Sequence, residues 1–159
     1  MSRSGSALLV ERLAALILTL LRLFLGLFLL ANGLNFWFHW LPITPPTQVA
    51  ANRLMDGLVF SGLFEIVKFV EIAAGVMLLA NRFVPLALVL MLPLTAVILY
   101  VDMVLIGTLQ TWTFALLLAV PQFILMLSFF QNYLSVFAMR ATPQPTSLAR
   151  IRATAFDAG

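Results

Sequence analysis

Long apolar runs, broken by short polar or proline-bearing intervals, divide the chain into four segments at about residues 13–40, 61–82, 84–102 and 110–133. Each approaches or exceeds the ~20 apolar residues that a helix needs to cross a hydrocarbon core about 30 Å thick. The first begins after an interfacial stretch carrying Arg3, Glu11 and Arg12 and ends in Phe36, Trp37, Phe38 and Trp40, an aromatic belt. It is longer than a bilayer is thick, so it tilts or leaves its first turns outside the hydrocarbon. It is also too long for a signal peptide and is expected to be retained. The following LPITPPTQ cannot continue a helix, because Pro42, Pro45 and Pro46 lack amide donors. Thr44 and Pro45 read as an N-cap and first helical residue, which predicts a short helix over about residues 45–56, lying on the outer membrane surface. Gly57 and Gly62 then permit a bend into the second long segment. That segment ends at Asn81 and Arg82, leaving a tight turn that makes the second and third segments antiparallel neighbours.

The pattern therefore predicts an all-α protein, a polytopic membrane four-helix bundle with a short extracytoplasmic helix between helices one and two. Residues 1–137 form the four-span membrane domain, and residues 138–159 are expected to be a mobile cytoplasmic tail. Composition agrees: 63% of the 159 residues are hydrophobic and 9% charged, against about 25% charged in soluble domains. The net charge of +3 is spread over the chain ends rather than clustered among aromatic side chains, so nucleic acid is not an expected partner. The bilayer is. Arginines before the first segment, at Arg82 and after the fourth place both termini in the cytoplasm.

The chain has no cysteine and a single histidine, His39, so no metal site is expected and any redox chemistry would belong to a bound cofactor or a partner. The seven methionines show no paired spacing and read as packing. No phosphate loop, dinucleotide fingerprint, zinc-protease motif or nucleophile elbow occurs. The chemistry-bearing stretch is SGLFEIVKFVEIAAGVMLLANR, in which Glu65, Lys68 and Glu71 recur at intervals of three. Lys68 can lie between the two carboxylates, and the three are expected to be buried together. Charges at bilayer depth cost a few kcal/mol each, which makes them candidates for a functional site. Depth counting places Arg22 near Glu71 and predicts an ion pair between them. It sets Asn32 and Asn35 near Glu65, and Pro93, Thr95, Pro121 and Gln122 near the midplane. Together these residues predict a polar ladder through the core, serving either as helix-packing glue or as a pocket or pathway. Gly26 and Gly33 are read as points of close helix approach.

The residues Arg22 and Gly26, the Asn32-Gly33 pair, and Glu71 followed by Ala74, Gly75 and the basic turn at Arg82 resemble the DoxX family of small bacterial four-helix membrane proteins. The resemblance covers about residues 20–127. Members typically carry a histidine near position 32 and a lysine near position 36, which this sequence lacks. The resemblance implies the bacterial cytoplasmic membrane and association with oxidoreductase complexes, including thiosulfate:quinone oxidoreductase subunits. Joined to the charged residues, it gives a first expectation: a membrane subunit that binds a quinone or similar lipid-soluble ligand and works with a protein partner or as a homo-oligomer. Glu65, Lys68 and Glu71 would then carry hydrogen bonds and protons. Arg22 would hold Glu71 ionised, Asn32 and Gln122 would orient a carbonyl oxygen, and Asn35 and His39 would line the outer end. The alternative is a non-enzymatic assembly, anchoring or small-solute transport component.

Overall fold

A computed structural model describes residues 5–42 and 46–134. The Thr44–Pro45 cap, the outermost arginines and the tail lie outside them. The described residues contain helices and no strand: α1 (Gly5–Phe38), α2 (Val49–Phe60), α3 (Leu63–Leu79), α4 (Val84–Tyr100), α5 (Leu109–Ser128) and the single turn α6 (Phe130–Tyr133). From Val101 to Ile106, α4 widens into a π-helical stretch that closes when Gly107 N–H bonds the Asp102 carbonyl, with Gly107 at φ 69°. Around the bundle the order is α1, α3, α4, α5 and back to α1, so each long helix touches two others. Leu25, Leu29, Leu78, Leu88, Leu118 and Leu125 fill the centre.

Local chemistry explains the boundaries. α1 stops at Phe38 because His39 takes a left-handed conformation, φ 51°. The Asn35 amide then clamps the reversed chain, accepting from Leu41 N–H at 2.7 Å and donating to the Leu41 carbonyl at 3.2 Å. α2 begins at Val49, later than the proline signal suggests, and continues past Asp56 through Gly57, which glycine permits at modest cost. The break comes at Gly62, φ 75°. α3 ends in a Schellman turn: Arg82 N–H bonds the Met77 carbonyl and Asn81 N–H the Leu78 carbonyl, with Asn81 left-handed at φ 54°. The fourth predicted segment divides at Phe129, which lets the Tyr133 hydroxyl donate to the Pro85 carbonyl at the start of α4.

α1 and α3 approach most closely. A β-carbon on Gly75 would lie 2.9 Å from both the Gly26 carbonyl oxygen and Leu30 N, and one on Gly33 would lie 2.7 Å from the Ile72 side chain. Small residues here set the backbones together, as expected for Gly26 and Gly33.

Candidate functional site

The antiparallel register of α1 and α3 decides which polar groups meet. Phe36 packs on Phe64 and Trp37 on Phe69 at one end, while Arg22 reaches Leu78 at the other. Near the aromatic end lies a buried cluster. Lys68 Nζ bonds both Glu71 carboxylate oxygens, at 3.1 and 2.9 Å. Asn32 Nδ2 donates to Glu71 Oε2 at 2.9 Å. Lys68 also lies over the Phe64 ring, 5.0 Å from its centre. Glu71 is 1% exposed and Lys68 7%. Because both charges come from one helix three residues apart, the pair is neutral as a unit, and α1 need supply only an amide and the face of an aromatic cluster.

Glu65 does not join them. It is exposed, and the residue that continues the buried stripe is Phe64. At 100° per residue Glu65 stands about 120° round the helix from Glu71, whereas Phe64 stands about 20° away. Nor does Arg22 pair with Glu71: its guanidinium donates to the Leu78 carbonyl. Asn32 and Arg22 are ten residues apart on α1, which is ~15 Å along the axis. Counting from the aromatic residues shows why. Phe36 to Arg22 is fourteen residues, but Phe64 to Glu71 is only seven, so the carboxylate lies about half as deep. Arg22 instead places a cation on the carbonyl-rich end of α3, where the helix dipole favours one.

The remaining candidates are dispersed. Asn35 is buried and occupied in the clamp on Leu41. His39 is exposed, with Nδ1 3.1 Å from the Trp37 carbonyl. Gln122 is fully buried between α4 and α5: Thr95 Oγ1 donates to its Oε1 at 2.5 Å, and its Nε2 donates to the Leu88 carbonyl at 3.2 Å. These two contacts lie on either side of Pro93, and Gln122 follows Pro121, so one amide braces the stretch where proline has removed a backbone donor. Among the described residues no group of three His, Cys, Asp or Glu side chains could hold a metal. A groove of about 390 Å³ opens between α1 and α5, lined by Leu21, Phe24, Thr113, Leu116, Leu117, Val120 and Pro121; of the residues expected in the ladder, Pro121 borders it, and no charged or amide side chain does.

Sequence reasoning placed Thr95 in the midplane ladder without pairing it to Gln122, and it gave no role to Phe64, to Asn35 as a clamp, or to the Leu78 carbonyl. Phe64 and Thr95 carried a signal, since Phe64 continues the helical stripe of Lys68 and Glu71 and Thr95 is a hydroxyl in an otherwise apolar helix. The carbonyl and the clamp arise from backbone termini, which side-chain spacing does not reveal.

Among the described residues, three helical stretches, Ser6–Phe38, Val84–Ile106 and Leu109–Ser128, are long and apolar enough to cross a membrane. They define the class, a multi-pass helical membrane protein. No family model matches the chain, and neither a curated protein nor a solved structure does.

Proposed function

We propose that the protein is a four-span, DoxX-like component of the bacterial inner membrane that serves a non-enzymatic anchoring or assembly role beside an oxidoreductase partner. The observation that carries this reading is that the polar side chains between the long helices are engaged with one another: Asn32 crosses from α1 to Glu71, which Lys68 of the same helix neutralises, Arg22 crosses to the Leu78 carbonyl, and Gln122 crosses from α5 to Thr95 and Leu88. Links of this kind hold membrane helices in register. They leave Glu71 and Gln122 engaged rather than aimed at a cavity, and the groove between α1 and α5 is apolar.

α3 is taken as the fourth span. Its 17 residues give a length of ~26 Å. It runs antiparallel along α1 and stands between α1 and α4 in the ring. With Arg12 and Arg82 on the cytoplasmic side, α2 lies outside.

Quinone content decides between this reading and a quinone-binding core. Protein purified in mild detergent is extracted with organic solvent and its isoprenoid quinone measured against protein. The expectation is far less than one quinone per chain, with no difference between wild type and Glu71→Gln. One quinone per chain, lost in a Glu71→Gln variant that still folds, would overturn it.

A further inference from the structure

We propose that two copies of this chain pair through α1, parallel to each other, along a seam made only of leucine. From Leu9 the residues at alternating steps of four and three are Leu9, Leu13, Leu16, Leu20, Leu23 and Leu27, and the alternation continues through Leu30 and Leu34. This is the a/d spacing by which one helix packs its side chains into a second.

The face is available. Leu9, Leu13, Leu16, Leu20 and Leu27 are each more than half exposed. At 100° per residue they centre about 180° round the helix from Leu18, Leu25 and Leu29, the side that meets the bundle core. α3 flanks the seam on one side, through Gly26 and Gly33, and α5 flanks it on the other, through Phe28 against Phe114. Towards the N-terminus even the flank is missing: every residue over 6–17 is exposed, because α3 ends opposite Arg22.

Contact with lipid alone does not call for this pattern, since any apolar residue satisfies lipid. The outward stripe of α5 at the same alternation reads Leu109, Thr113, Leu116, Val120, Phe123 and Leu127, a mixture. A second copy fits the leucine seam for two reasons. Copies inserted with one topology present α1 in parallel, so identical heptads fall in register about a two-fold axis. Left-handed crossings of ~20° are also the common geometry between membrane helices.

The absence of native cysteine makes the test direct. Leu13→Cys, Leu16→Cys and Leu20→Cys, each alone, are oxidised in membranes and again after purification into lipid-rich proteoliposomes, with Leu116→Cys and Val120→Cys on α5 as controls. Disulfide-linked dimers are expected at the three seam positions, several-fold above the controls, in both preparations. Combining Leu13→Ala, Leu16→Ala and Leu20→Ala is expected to abolish association measured by energy transfer between labelled copies, with the melting temperature unchanged. Seam cross-linking no higher than the controls would overturn the proposal. So would cross-linking that disappears in proteoliposomes, which would assign the seam to a different membrane protein. The result does not depend on quinone content, so this inference and the proposed role can fail separately.

Discussion

The α1–α3 and α4–α5 interfaces both bury hydrogen-bonded side chains in an apolar bundle, but with opposite materials. Between α1 and α3 lies an ion pair, Lys68 with Glu71, beside glycines that bring the backbones together. Between α4 and α5 lies a neutral amide, Gln122, beside two prolines. The charged interface draws both signs, and the Phe64 ring beneath Lys68, from one helix, and the neighbour contributes the Asn32 amide and Phe36, which packs on Phe64. The neutral interface works the other way: α4 lacks a backbone donor at Pro93, and the neighbour brings the amide that steadies the turn. Charge is balanced within one helix, whereas the proline-interrupted stretch of α4 is bridged from across the interface, by an amide bonded to Leu88 before Pro93 and to Thr95 after it.

The sharpest way to break this contrast is to unbalance the pair. Glu71→Ala leaves the Lys68 ammonium buried without its partner, and removing one member of a buried pair costs about 3–5 kcal/mol. Replacing both, Lys68→Met with Glu71→Leu, removes charge and counter-charge together and is expected to cost much less than either single change. Unfolding of purified protein in mixed micelles measures both. If the single variants matched wild type, the pair would not be the buried, mutually compensated unit described above.

Next in size is close packing. Gly75→Ala would set a methyl group 2.9 Å from backbone atoms of both Gly26 and Leu30, neither of which can rotate away. Overpacking of this kind typically costs about 1–3 kcal/mol. Gly57→Ala on α2 meets nothing within 4 Å and serves as the control, expected to be neutral or slightly stabilising because alanine favours helix. Equal stability of the two variants would mean that α1 and α3 are not held at glycine-limited distance.

Much of this architecture was legible in the residue pattern, and the misses share a cause. The tight turn at Asn81 and Arg82, the aromatic end of α1 and the close approach at Gly26 and Gly33 follow from local chemistry: a left-handed asparagine, a belt of large rings, a missing β-carbon. The expected gathering of Arg22 and Glu65 around Glu71 required knowing how far each helix is shifted along its neighbour and which way it is rotated. Rotation was recoverable, because Phe64 rather than Glu65 continues the stripe of Lys68 and Glu71. The shift was less so, since it depends on where α3 starts, and Gly62 sets that start through a backbone conformation. Arg22 was also misread because its acceptor, the Leu78 carbonyl, belongs to the backbone. A helix terminus offers partners that an inventory of side chains omits.

The smallest expected effect sharpens the comparison most, because it tests whether the neutral interface is as replaceable as its chemistry implies. Gln122→Leu keeps the volume of a buried side chain but removes the acceptor for Thr95 and the donor for Leu88. Thr95 has a local alternative, since a helical threonine hydroxyl can bond the carbonyl four residues earlier, at Met91. The Leu88 carbonyl retains a second way to be satisfied within its own helix. Interhelical hydrogen bonds between membrane helices average about 0.6 kcal/mol in double-mutant cycles, and Gln122→Leu combined with Thr95→Val should show a coupling near that value. The same cycle run on Lys68 and Glu71 should give a coupling several times larger. If instead the Gln122 and Thr95 coupling equalled that of the ion pair, the amide would be bracing Pro93 against a conformational change of α4, and the two interfaces would differ in dynamics rather than in electrostatics.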